Sequence, residues 1–341
     1  MTVIERLRDQ EQLLQEDSLK VLTTTRNVVM ESQHVRIDMD VIRAVSKTLS
    51  RESLQSPSWK AEFIYEGDER SVASYFLLFG TMVFSFWPDP SSSQPKWVVT
   101  YKDKEVTGGS FSVMAAFTRA IEEGKPILDG HYLASLSEDE FSTILKGVGT
   151  IPMFSERVEI LRRTGQTLVE KYDGDFANVV EAANKSAIRL AQILVTDFPD
   201  FDDHAIWRER PVYFYKRAQL VTAIIHERLG GVGMGEFYDE DKLTAFADYK
   251  IPQMLEEFGC LGYSDDLTNK IKRRELLPFG SQEEVEIRAN TIWAVELLRQ
   301  EAEKRLGKIT ASQVDHFLWQ AAPRGIVEKE VPYHLTRTKF Y

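Results

Sequence analysis

An ionised carboxylate set among aromatic side chains must be paired or put to chemical use, because burying an uncompensated charge is costly. The stretch FADYKIPQ (residues 246–253) holds such a group, with Asp248 between Phe246, Ala247 and Tyr249 and just ahead of Pro252. Proline disfavours a helical residue before it and suits the first turn of a helix. A helix from about Lys242 should therefore break near Lys250, and a second should run over residues 252–259. Asp248 then stands at a helix corner, where it either caps the second helix or faces a cation. Lys216 is a candidate for that cation. It opens a helix whose apolar stripe is Phe214, Ala218, Val221 and Ile225, and a cation near a helix N-terminus is electrostatically disfavoured. Either it snorkels past the aromatic residues into solvent or it has a partner such as Asp248.

Other clusters have simpler readings beside the chemical one. In YSDDL (263–267), Ser264 can cap a helix with Asp265 and Asp266 in its first turn. In SQEE (281–284), Ser281 and Glu284 have the spacing of a capping box that opens a helix running to about Leu306. Four residues on, Arg288 can pair with Glu284 for a few tenths of a kcal/mol. Phe84, Phe86 and Trp87 in FSFW (84–87) are either core aromatics or a platform for a flat ligand.

Several chemistries are disfavoured. The six histidines show no metal-ligand spacing, Cys260 is the only cysteine, and GGSFS (108–112) lacks the second glycine of a nucleophile elbow. Neither a metal nor another cofactor is called for. GGVGMG (230–235) follows a helix rather than a strand, so it reads as a connection and not a phosphate cradle. LKGVGT (145–150) matches a helix-hairpin-helix turn weakly and reads as an ordinary turn. With 42 basic and 53 acidic residues, the net charge of −11 opposes extended nucleic-acid binding and favours a small ligand. No window approaches the roughly 20 apolar residues of a membrane span. The absence of a disulfide and of a signal peptide points to a cytoplasmic protein.

The elements that must carry these residues divide by period. YFLLFGTMVFSFW (75–87) and WVVTYKDKEVTGGSF (97–111) read as strands of a small antiparallel sheet, separated by the low-complexity turn PDPSSSQP (88–95). From about residue 112 the apolar spacing becomes helical, through Val113, Ala116, Phe117 and Ala120 and later through Phe176, Val180, Ala183, Ala187, Leu190 and Leu194. The expectation is a mainly α single domain over 1–341, with a small sheet region at 60–111 and a helical body at 112–330.

In order, FSFW (84–87), FYKRAQ (214–219), FADYKIPQ (246–253), YSDDL (263–267), EVEIR (284–288) and VPYH (331–334) closely resemble the queuosine salvage protein family, the queuosine 5′-phosphate N-glycosylases. The resemblance implies a fold related to helix-hairpin-helix DNA glycosylases. It implies release of queuine from queuosine 5′-monophosphate, with the catalytic aspartate at Asp248 and the active-site lysine at Lys216. Lys216 then either holds Asp248 or contacts the phosphate. Queuine carries a secondary amine that is cationic near neutral pH, for which Asp265 and Glu284 are candidate partners. Phe84, Trp87, Phe214, Phe246 and Tyr249 are candidates to stack on the base, and Arg288 serves the phosphate or braces Glu284. Two alternatives stand beside this reading: a non-catalytic queuine binder, and a base-excision glycosylase acting on nucleic acid.

Overall fold

The helix Gln282–Leu306 runs through the middle of the core, and every residue from Glu284 to Leu298 is buried. It packs against the helices Val21–Glu31, Met39–Thr48 and Ala311–Ala321. The computed structural model describes residues 2–90, 95–321 and 331–341. Residues 91–94 of the low-complexity turn and 322–330 of the expected helical body lie outside the described residues. Buried apolar side chains from Leu7 to Ala321 form one contiguous cluster, each fully buried large one contributing about 1.5–3 kcal/mol. The protein is mainly helical, and among the described residues the strands form three two-stranded antiparallel pairs.

One expected strand is a helix. Residues 75–82 belong to Glu69–Met82, capped by Asp68, whose carboxylate accepts the Ser71 N–H at 2.8 Å. All residues from Val72 to Met82 are buried. A helix buried on every side shows no amphipathic period, so its apolar run is indistinguishable from a buried strand. Its last carbonyls are satisfied by two buried arginines: Arg217 donates to Gly80 O and Thr81 O, and Arg157 to Met82 O. The other half of the expected sheet is present as a hairpin, Val99–Tyr101 with Lys104–Val106, with Val99 opposite Val106. Lys102 and Asp103 turn it with φ of 44° and 61°, as a right-handed strand twist requires. The other two strand pairs draw on residues outside 60–111: Val35–Ile37 with Leu261–Tyr263, and His204–Trp207 with Arg210–Tyr213.

Three further expectations change in detail. The run from Phe176 to Leu194 is two helices, Phe176–Ala182 and Ala187–Asp197, because Asn184 and Lys185 take positive φ and Ser186 caps the second. Only a short 3₁₀ turn, Glu240–Lys242, precedes Asp248; residues 243–249 have no helical structure and lead directly into Lys250–Glu257. Ser281 caps the long helix, but Glu284 does not close the box. Its carboxylate accepts the Gly280 N–H at 3.0 Å and the Tyr341 hydroxyl at 2.8 Å. The segment 331–341 thereby returns to the core, where the Ser85 N–H also donates to Tyr341 O at 2.9 Å.

Candidate active site

Lys216 and Asp248 meet in a partly open cavity lined mainly by aromatic and aliphatic side chains with a few polar groups among them, the make-up of a small-molecule site. Lys216 is the first residue of the helix Lys216–Arg228 and its side chain is only 4% exposed. Nζ lies 3.9 Å from Asp248 Oδ2, too far for a direct hydrogen bond. Among the described residues Nζ has no hydrogen-bond acceptor, so its donors remain available to a ligand. Burial pushes the ammonium's pKa down, and the Asp248 charge acts against that shift.

The two oxygens of Asp248 do different work. Oδ1 accepts the N–H groups of Lys250 at 2.7 Å and Ile251 at 3.0 Å, capping the helix Lys250–Glu257. That fixes the carboxylate and leaves Oδ2 on the Lys216 side. Capping and facing a cation, set out as alternatives by the sequence, are both realised.

The segment that carries Asp248 is tied to its surroundings almost residue by residue, as buried backbone requires. The Thr244 N–H donates to Gln219 Oε1 at 2.8 Å, the Phe246 N–H to Asp315 Oδ2 at 2.8 Å, and Ala247 O accepts from Arg288 Nε at 3.0 Å. Arg288 also forms a two-pronged pair with Asp203, at 2.8 and 2.6 Å, with both side chains buried. Asp203 Oδ2 in turn accepts the backbone N–H of Lys216 at 3.0 Å. One ion pair therefore holds the start of the lysine helix and the segment before Asp248 against the same long helix.

Aromatic rings build the walls. Phe84 is flanked by the guanidinium carbons of Arg157 at 3.9 Å and Arg217 at 5.1 Å. Burial lowers the pKa of both arginines, to about 9 for Arg157, where the Arg217 charge adds to the fall, and to about 10 for Arg217. Phe86 lies so close to Gly109 that a Cβ there would come within 2.0 Å of the ring. This contact brings the start of the helix Gly109–Glu122, with Ser110, to the cavity edge. Trp59 stacks on Trp319 with centroids 5.8 Å apart and donates its Nε1–H to Glu227 at 2.6 Å. Glu227 also lies 2.9 Å from His316 Nδ1. Burial, the largest influence, would lower His316, but the charge and hydrogen bond of Glu227 together with the charges of Asp315 and Glu240 outweigh it and the net shift is upward.

The family model for the queuosine salvage protein matches residues 63–341. The chain belongs to the queuosine salvage protein family. It is 40% identical over 325 residues to a protein of Sphaerobacter thermophilus named queuosine 5′-phosphate N-glycosylase/hydrolase, a match covering 95% of this chain and 98% of that one. A Bos taurus protein with the same name is 35% identical over 331 residues, covering 92% and 96%. A Schizosaccharomyces pombe protein, again so named, is 30% identical over 319 residues, covering 89% and 91%.

Within this queuosine salvage chain, Lys216, Asp248, Phe84, Phe246 and Tyr249 line one cavity. The other residues expected at the site do not. Asp265 is exposed in the first turn of Asp265–Lys272, the place its helix cap favours. Glu284 and Arg288 are fully buried and bonded to protein, so neither is free for an amine or a phosphate. Phe214 is covered by the Arg288 guanidinium at 3.9 Å and Trp87 by that of Arg337 at 3.5 Å. The sequence reading did not single out Trp59, Ser110, Asp315, His316, Trp319 or Tyr341, all of which line the cavity. For Asp315 and His316 a signal was present: two ionisable residues inside the apolar helix pattern of Val314, Phe317 and Leu318.

Proposed function

We propose that this chain hydrolyses the N-glycosidic bond of queuosine 5′-monophosphate, releasing queuine and ribose 5-phosphate. The observation that carries the reading is the Lys216–Asp248 pair. An immobilised carboxylate with one oxygen that accepts no hydrogen bond among the described residues, and a buried ammonium that has no acceptor among them, share an aromatic-walled cavity, in a chain of the queuosine salvage family. Breaking a ribosyl C–N bond builds positive charge on the sugar, and a carboxylate already fixed in place stabilises that charge without reorganising. Asp248 Oδ2 takes this role, and it can receive the proton of the attacking water as the sugar cation collapses. Lys216 orients the carboxylate from 3.9 Å and donates to an oxygen of the substrate. The flat base lies among Phe84, Phe246 and Tyr249. The net charge of −11 fits a small nucleotide better than a polynucleotide.

The deciding experiment is incubation of the purified protein with queuosine 5′-monophosphate. Equimolar free queuine and ribose 5-phosphate are expected, whereas a bound but intact nucleotide would leave the chain a binder.

A further inference from the structure

The mechanism so far gives the departing base no proton. A 7-deazapurine has carbon where purines carry N7, so the proton must enter at another nitrogen or at the carbonyl oxygen. Among the described residues, one carboxylate besides Asp248 lines the cavity: Asp315, on the helix Ala311–Ala321. It is 3% exposed, and its Oδ2 is fixed by the Phe246 N–H at 2.8 Å. Oδ1 has no hydrogen-bond partner among the described residues. The charged groups that face Asp315 are His316 from its own helix, Asp248 from the segment after Phe246, and Lys216 from the neighbouring helix. Burial pushes the Asp315 carboxyl up to about 7; Asp248 adds to the rise, while His316, the Phe246 N–H and Lys216 act against it. His316 is a poorer donor, since its ring lies against Glu227 at 2.9 Å and that contact stabilises the protonated form.

We propose that Asp315 is the general acid of the reaction, delivering its proton to the queuine base as the glycosidic bond breaks. This rests on the hydrolase reading above. The C1′–N9 electron pair leaves with the base, and the Asp315 proton neutralises the base at a ring nitrogen or its carbonyl oxygen. Water adds to C1′ and gives a proton to Asp248. Passage of that proton from Asp248 back to Asp315, directly or through solvent, restores both groups, and the sum is nucleotide plus water to base plus ribose 5-phosphate. Two carboxyl groups in one cavity, one ionised under the sugar and one protonated beside the leaving group, form the division of labour of a glycosidase.

Asp315→Asn preserves shape and the acceptor for Phe246. On queuosine 5′-monophosphate its kcat should fall by about 10²–10⁴, and the basic limb of the wild-type kcat–pH profile should vanish. The same loss is expected on 7-deazaguanosine 5′-monophosphate, which lacks the cationic side chain. A loss confined to the queuosine nucleotide would instead make Asp315 the partner of the substrate's ammonium and overturn the assignment. With p-nitrophenyl ribofuranoside 5-phosphate, whose leaving group departs without a proton, any wild-type turnover should survive in the variant; an equal loss there also overturns it. Should the variant misfold, wild-type enzyme still decides the matter: a kcat for the queuosine nucleotide that is flat from pH 6 to 9 excludes an acid of this kind. A wild type that releases no queuine sinks the hydrolase reading, whereas a fully active Asp315→Asn sinks only this proposal.

Discussion

Asp248 uses one oxygen on two backbone N–H groups and keeps the other toward the cavity, and its capping can be separated from its proposed part in the reaction by mutation. An asparagine there still offers a carbonyl oxygen to Lys250 and Ile251, so Asp248→Asn should unfold at nearly the wild-type denaturant midpoint. Its kcat should nonetheless drop at least about 10³-fold, the scale of losing a preorganised electrostatic contact to a charged transition state. Asp248→Ala loses the cap as well and should cost about 1 kcal/mol of stability by urea titration. Comparable activity in Asp248→Asn and wild type would remove the carboxylate from the chemistry. The approach of Lys216 to Asp248 was legible in the sequence because each residue broke a local rule: an acid among aromatics before a proline, and a cation opening a helix. Asp315 broke none strongly enough, since a carboxylate in mid-helix is ordinary until the tertiary structure shows which cavity it lines. Glu284 and Arg288 misled for the opposite reason. Their motif is real, but the partners that bury it, Asp203 and Tyr341, lie far away in sequence.

The elements that hold the site are coupled by the Asp203–Arg288 pair rather than by propensity. Asp203 accepts the Lys216 N–H from the lysine helix, and Arg288 reaches from the long helix to Ala247 O beside Asp248. Removing one member leaves the other charged and buried, so Asp203→Ala should destabilise the protein by about 3–5 kcal/mol. In the double variant Asp203→Ala/Arg288→Met the loss should be clearly smaller than the sum of the single losses, measured by chemical denaturation. Additive losses would mean that the two side chains act independently. At this scale the sequence was legible where local chemistry marks the end or turn of an element. The Ser281 start of the long helix, the Ser264 cap and the hairpin at Lys102–Asp103 all follow from cap or turn chemistry. It was illegible at Glu69–Met82, whose β-favouring aromatics are buried on all sides, and at 243–249, where side-chain partners replace regular backbone pairing.

For the molecule as a whole, the charges in its interior set opposing pH limits. Burial alone would raise Asp200, but the hydrogen bonds and charges of Arg163 and Lys339 hold it below the usual carboxylate range. Its contribution to stability is present above the unfolded pKa, near 4, and is lost as pH falls through the lower folded value. Asp315 has the opposite sign. With a folded pKa of about 7, the stability from its neutral form is complete below about pH 4 and disappears as pH rises through 7. His316, also raised in the fold, loses its contribution in the same direction, from about 6.5 upward. Thermal stability should therefore decline below about pH 4, as Asp200 is protonated, and again as pH rises from about 4 through 7, with His316 extending the loss above about 6.5. Because each pKa unit corresponds to about 1.4 kcal/mol, the alkaline decline should be a few degrees in Tm. Asp315→Asn cannot ionise, so its Tm should exceed that of the wild type at pH 8.5 and approach it near pH 4, as read by calorimetry across that range. A variant gaining stability while losing turnover would show that the fold tolerates an unfavourable buried acid because the reaction uses it. A Tm gap that does not change with pH would mean that Asp315 keeps one protonation state throughout, which a proton donor in the working range cannot do.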